Sequence, residues 1–359
     1  MSGSGVPMCR WTRRLLSLAA FAIMWTLWHG QLLTEDPGTL TALTGESAGE
    51  KRSNATKRIS SLEGSTVQGT HSTTGSSVAN INATVTEQDP WTAEQVRRRE
   101  AVARACRGWH NLKENLPKSR SDLIHLLVDD RHKAIYCYVP KVACTTWKRL
   151  WLILSGISNA TNPLDIPEEK PHVDHHKMML VKQPYNTTYL QRKLYTYTKF
   201  LVVRDPYERL VSAFRDKFEG TGSAYYQQSY GYHIMKKYRH TFRGADIPKS
   251  GKGLTFTEFV RYIIDHPSER ADEHWKPYSL LCYPCAIQYD VISKYETLAE
   301  DSERFLRLIK APEDLHFPAF NPSNTSALLS SYMGRLSSRQ RKALRRNYQK
   351  DFRMFQYQE

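Results

Sequence analysis

Twice in this chain a short apolar strand pattern runs through a tight turn into an amphipathic helix. That repeated unit constrains the fold more than any other feature. The first unit begins with KAIYCYVP, Lys133 to Pro140, whose β-branched, aromatic and Cys content suits a buried strand ending at a proline. KVACTTWKRLWLILSG follows at once and turns helical, with Trp147, Leu150, Trp151 and Leu154 at helical spacing. The second unit is TKFLVVRDPYERLVSAFRDKF, Thr198 to Phe218. Its apolar strand Phe200–Val203 leads through Arg204-Asp205-Pro206 into a helix, and Pro206 falls where a missing N–H costs little.

Each turn is also a chemical device. At a helix start the backbone N–H groups lack partners and the dipole is positive, so a phosphate or sulfonate docks there readily. Ala143 and Cys144 are small enough to let backbone approach such a ligand. Thr145 and Thr146 can donate to its oxygens, and Lys141 can neutralise developing charge. The glycines of a G-x-x-x-x-G-K-[ST] loop are missing, and the segment alone fits an ordinary strand-to-helix turn equally well. In the second unit Arg204 and Ser212 make an arginine fork and a hydroxyl suited to a terminal phosphate. Arg209 and Arg215 also fit a salt-bridged helix face with Asp205 and Glu208.

The 359 residues are 40% hydrophobic and 24% charged, which is enough apolar content for a core and excludes a wholly disordered or multi-span membrane chain. The formal net charge is +15, and the whole of that excess falls on residues 91–359. Such a field favours anionic partners. Arg10, Arg13 and Arg14 precede the uncharged stretch Leu15 to Leu33, which just reaches the span of a bilayer core. The expected organisation is a cytosolic tail (1–14), a signal-anchor helix (15–33), a flexible Ser/Thr/Gly-rich stem (34–90) and a folded lumenal domain (91–359). A cleaved signal peptide is the rival reading of 15–33. N-glycosylation sequons at Asn54, Asn82, Asn159, Asn186 and Asn324 agree with a secretory placement. That compartment sets aside nucleic acid as the anionic partner.

PKVACTTWKR (Pro140–Arg149) and VRDPYERLVSAFRDKF (Val203–Phe218) closely resemble the two nucleotide-binding motifs of Golgi carbohydrate sulfotransferases. The group is that of the chondroitin, dermatan and N-acetylgalactosamine 4-O-sulfotransferases and the HNK-1 sulfotransferase. DEHW (Asp272–Trp275), Leu281–Ser302 and Asp351–Tyr357 are similar to the same group, so the resemblance runs from about residue 120 to 357. It implies sulfonate transfer from 3′-phosphoadenosine 5′-phosphosulfate (PAPS) to a glycan hydroxyl, with no metal required. It further implies an α/β, P-loop-like fold with a central parallel sheet flanked by helices, and a single-pass type II protein of the Golgi membrane. By the resemblance Pro140, Lys141, Val142, Ala143, Cys144, Thr145 and Thr146 form the 5′-phosphosulfate loop. Arg204, Asp205, Pro206, Tyr207, Glu208, Arg209, Leu210, Val211 and Ser212 form the 3′-phosphate site. The acceptor implied is the 4-hydroxyl of N-acetylgalactosamine in chondroitin, dermatan or terminal glycans. The alternatives are 3-O-sulfation of terminal glucuronic acid, or an inactive glycosaminoglycan-binding membrane protein.

A sugar hydroxyl loses its proton as it attacks, so a base is expected, and His suits that task near neutral pH. His172, in EKPHVDHHK, is the first choice and His274, in DEHW, the second, with Glu273 as a further carboxylate. Lys141 is expected to stabilise the bridging and sulfonate oxygens. In an oxidising lumen Cys282 or Cys285 is expected in structural disulfides, with Cys106 a long-range partner and Cys144 a free, packed thiol. Helices are expected from Trp91 and over Ser119–Val128. A basic helix over Ser337–Phe355 either covers the core or helps to hold an anionic polysaccharide.

Overall fold

The computed structural model describes residues 89–107, 123–182, 187–239, 247–319 and 324–358, all within one compact unit, Asn82–Glu359. Among them four strands form one sheet in the order β1 (Leu126–Asp129), β2 (Ala134–Cys137), β3 (Thr198–Val203) and β4 (Val291–Lys294). The helices that matter here are α1 (Pro90–Arg107), α2 (Cys144–Leu154), α3 (Pro206–Phe218), α4 (Phe256–Asp265), α5 (Leu298–Leu308), α6 (Thr325–Gly334) and α7 (Ser338–Phe355).

Both strand–turn–helix units form as their sequence pattern demands. β2, β3 and β4 are parallel, with Tyr136 beside Phe200 and Phe200 beside Val291. The sheet as a whole is mixed, however, because β1 pairs antiparallel with β2. The expectation of a parallel sheet is corrected on this point. Only residues 130–133 connect the two strands, with Lys133 at φ 50°, and so short a link cannot make a parallel crossover. The same hairpin overturns the helix expected over Ser119–Val128. Leu126, Leu127 and Val128 are buried strand residues, and 119–122 lie outside the described residues.

Trp147 and Trp151 of α2, Tyr136 and Phe200 of the sheet, and Phe305 of α5 form one aromatic cluster on a sheet face. A second core gathers Phe214 of α3, Phe259 of α4, Trp275, and Tyr348 and Phe352 of α7. Disulfides Cys106–Cys285 and Cys137–Cys282 tie α1 and β2 to the segment before β4, and Cys144 is free, as the cysteine pattern led us to expect. α1 also closes the open edge of β4: Gln95 Oε1 accepts from the Ile292 N–H (2.9 Å), and Arg98 Nη1 donates to the Ile292 carbonyl (2.7 Å).

The expected anchor, 15–33, and the stem up to residue 88 lie outside the described residues. Among the described residues no helix is long and apolar enough to cross a membrane. The longest, α1 and α7, span 18 residues each and carry charged side chains in nearly every turn. Membrane anchoring and single-pass type II placement in the Golgi membrane are corrected accordingly and play no part below.

Candidate active site

Between β2 and α2 the backbone takes up positive φ values of the kind a glycine-rich loop uses, without glycine. Lys141 has φ 74° and Ala143 has φ 62°, while Val142 between them is not in the positive-φ region. Alternating handedness of this kind turns consecutive N–H groups toward one side and makes an anion nest. Ala143 is the N-cap of α2 and offers no side-chain hydrogen bond, and the first helical bond is Trp147 N–H to the Ala143 carbonyl (3.1 Å). The N–H groups of Cys144, Thr145 and Thr146 therefore have no intrahelical acceptor. Val142 is buried and anchors the loop from beneath.

α3 carries the second motif. Asp205 caps it, accepting from the N–H groups of Tyr207 (2.8 Å) and Glu208 (3.0 Å), with Pro206 in the first turn. Burial raises the Asp205 carboxyl to about 6 despite those two donors. Leu210 and Val211 point into the second core. Tyr207 packs edge-on against Phe352, and burial raises its phenol to about 12. Glu208, Ser212 and Asp216 are four residues apart and share one face. Arg204 lies at one end of that face. Its side chain is 1% exposed, its Nε and Nη2 each lie 3.0 Å from Glu208 Oε2, and its guanidinium stacks 4.4 Å from the Tyr295 ring. Lys141 lies at the other end, with Nζ 3.2 Å from Asp216 Oδ2. Burial would raise the Asp216 carboxyl, but Lys141 and Lys217 hold it below the ordinary range. One helix face thus brings the two motifs together, over about 12 Å at 1.5 Å per residue.

Arg209 belongs to the second motif but does not face the same way. It is buried, and its guanidinium donates to the carbonyls of Pro140 (3.1 Å), Lys276 (2.7 Å) and Glu273 (2.6 Å). It clamps the loop start and the DEHW segment to α3. Tyr278 performs a similar service at the end of β3. Its hydroxyl accepts from the Arg204 N–H (2.9 Å) and donates to the Arg204 carbonyl (3.1 Å). Asp351 of α7 in turn accepts from the N–H groups of Tyr278 (2.7 Å) and Ser279 (3.0 Å). Neither clamp has a local sequence signal, since both act across 60 residues or more.

The histidines of EKPHVDHHK diverge. His172 lies beside the loop, with Nε2 3.3 Å from Thr145 Oγ1, and burial together with Lys148 and Lys217 lowers its pKa. His175 meets the Tyr138 ring edge-on, and burial pulls it down to about 3. His176 binds the Val173 carbonyl. His274 Nδ1 lies 2.7 Å from Asp272 Oδ1, and Tyr226 Oη is 3.1 Å from the same nitrogen. A carboxylate can only accept, so Nδ1 carries the proton and Nε2 is the basic nitrogen. Asp272 stays ionised: burial opposes this, but His274 outweighs burial. Lys217, over the Tyr226 ring at 4.8 Å, stands between the His274 dyad and the Lys141–Asp216 pair. Among the described residues no group of three or more His, Cys, Asp or Glu side chains is arranged to hold a metal ion.

The residues that build this site fall within a match to a known protein family. The sequence model of the Sulfotransferase family matches residues 124–358. The chain belongs to that family. It is 39% identical over 267 residues to carbohydrate sulfotransferase 11 of Danio rerio, covering 72% of this chain and 75% of the relative. It is 36% identical over 288 residues to carbohydrate sulfotransferase 9 of Homo sapiens, covering 77% and 63%. With carbohydrate sulfotransferase 14 of Homo sapiens the identity is 39% over 213 residues, covering 58% and 54%. No solved structure matches the chain. The protein is a PAPS-dependent carbohydrate sulfotransferase, an enzyme whose co-substrate is the phosphosulfate donor.

Proposed function

We propose that the donor lies along the Glu208–Ser212–Asp216 face of α3 and that the acceptor is the 4-hydroxyl of N-acetylgalactosamine in a chondroitin, dermatan or related glycan. The observation that carries the donor reading is that this one face ends on a cation at either end, each resting on a carboxylate. A donor with anionic groups at the 5′ and 3′ ends of one ribose offers the same two charges. The 5′-phosphosulfate takes the nest of Cys144, Thr145 and Thr146 together with Lys141, and the 3′-phosphate takes Arg204 and Ser212. Asp205, Pro206, Tyr207, Arg209, Leu210 and Val211 shape the site from behind through capping, packing and the carbonyl clamp.

In the reaction the acceptor oxygen forms a bond to sulfur while the bond from sulfur to the bridging phosphate oxygen breaks. The electron pair leaves on that oxygen as 3′,5′-bisphosphate, and the hydroxyl proton passes to a base. Lys141 balances charge on the bridging oxygen. His172, kept neutral by burial and its cationic neighbours, is the first base, and the His274–Asp272 dyad is the second. The acceptor assignment is supported by the kinship with carbohydrate sulfotransferases and by the excess of basic residues suited to a polyanion.

Calorimetry with 3′,5′-bisphosphate tests the donor site. Ser212→Ala should weaken binding roughly 10- to 150-fold, the value of one hydrogen bond to a charged group. Unchanged affinity would remove Ser212 from the site. Disaccharide analysis of chondroitin sulfated by the enzyme should show the 4-O-sulfated N-acetylgalactosamine product, and sulfate on glucuronate alone would overturn the acceptor reading.

A further inference from the structure

Lys148 is a donor-helix cation that the mechanism above leaves without a task. It lies on α2, one turn past Thr145 and Cys144, and its side chain is 4% exposed. Its ammonium rests on the face of Tyr138, 3.8 Å from the ring centroid. The Tyr138 ring also carries His125 (4.4 Å) and His175 (5.3 Å). Among the described residues no carboxylate lies within ion-pair distance of Lys148, whereas Lys141 has Asp216 and Arg204 has Glu208. Its nitrogen is not among the unpartnered polar atoms sealed from solvent. A buried ammonium with only a ring for company is costly unless an anion arrives to complete it. Helix side chains lean toward the N-terminus, so Lys148 reaches back toward the level of the nest, on the side where Thr145 meets His172.

We propose that Lys148 is a catalytic residue that donates to a non-bridging oxygen of the sulfonate in transfer. The inference rests on the donor reading given above. Lys141 then serves the bridging oxygen that leaves with the electron pair, Lys148 serves the sulfonate that moves, and each keeps its proton throughout. The titratable groups facing Lys148 are Cys144 on its own helix, Glu273 from the DEHW segment, and His125, His172 and His175. Burial lowers its pKa below the ordinary lysine range, against the opposing pull of Cys144 and Glu273.

The test uses Lys148→Met and Lys148→Arg, with bisphosphate affinity, kcat, acceptor KM and the pH profile as readouts. Lys148→Met should bind bisphosphate within about twofold of the parent, keep its acceptor KM, and lose roughly 100-fold or more in kcat. An unchanged kcat overturns the proposal. A loss confined to acceptor KM assigns the cation to a carboxylate or sulfate of the glycan and also overturns it. An equal loss of bisphosphate affinity makes the role structural. Should Lys148→Met fail to fold, Lys148→Arg decides: the alkaline fall in kcat should move to higher pH because a guanidinium stays charged, and an unmoved limb overturns the proposal. Failure of the parent enzyme to bind bisphosphate would instead refute the donor reading and is seen separately.

Discussion

His125 and His175 are buried as neutral rings, and that governs how the fold responds to acid. Burial lowers both to about 3, from an ordinary value of 6.5. The unfolded chain therefore binds more protons below 6.5, and stability is lost as pH falls from 6.5 through about 3. Asp205 and Asp351 act in the opposite sense: burial raises each to about 6, so their contribution is full below 3.8 and is lost as pH rises through about 6. The histidines are displaced further from their ordinary value and set the net direction. The urea midpoint should drop between pH 6.5 and about 4.5, and His125→Asn, which can keep a bond to the Tyr138 carbonyl, should reduce that drop. A drop identical to the parent's would contradict the assignment. At this scale the sequence was legible where chemistry is local. Lys141 rests on Asp216 of α3, His172 lies beside Thr145 of the loop, His274 pairs with Asp272, and Cys144 is the free thiol. Arg209 could be placed on α3 by spacing, but its turn onto three distant carbonyls could not. Lys148 reads in sequence as an ordinary helix lysine.

The loop before α2 and the hairpin before it show how elements were and were not readable. A buried strand, a proline and a helical run specify β2 and α2 through neighbours in sequence. The alternating φ signs at Lys141 and Ala143 leave no such mark, because positive φ usually announces itself by glycine. Holding alanine there costs about 1–2 kcal/mol, and a β-branched residue costs more. Ala143→Gly should therefore keep or improve stability with bisphosphate affinity intact. Ala143→Val should lose roughly 1–2 kcal/mol of stability and about tenfold in affinity, read by urea unfolding and calorimetry. Full affinity in Ala143→Val would mean the nest does not hold the phosphosulfate. β1 was misread as helix because the apolar residues of LIHLLV suit either period over so short a run, and pairing with β2 decides it. α7 was legible as a basic helix, and in the structure Ser337 and Gln340 close its start with a reciprocal capping box.

Over the whole described unit, pieces far apart in sequence converge on α3. Cys137–Cys282 fastens β2, three residues before Pro140, to the end of the short helix whose Tyr278 holds the Arg204 backbone. Arg209 ties α3 to both the loop and the DEHW segment, and Asp351 ties that assembly to α7. The order of the motifs along the chain was readable. Their meeting on Glu208, Ser212 and Asp216 was only half readable, because the helical spacing is in the sequence but the cations at its ends come from other elements. The central claim is that Lys141 and its loop carry the charge of sulfonate transfer. The most direct measurement is single-turnover transfer of radiolabelled sulfonate from PAPS to chondroitin by the parent and by Lys141→Ala, with bisphosphate affinity measured on the same samples. Lys141 is a partly exposed loop residue whose visible partner is the half-exposed Asp216, so its removal should leave the fold intact. The rate should fall roughly 100- to 1,000-fold. A folded Lys141→Ala enzyme transferring sulfonate at the parent's rate would contradict the account.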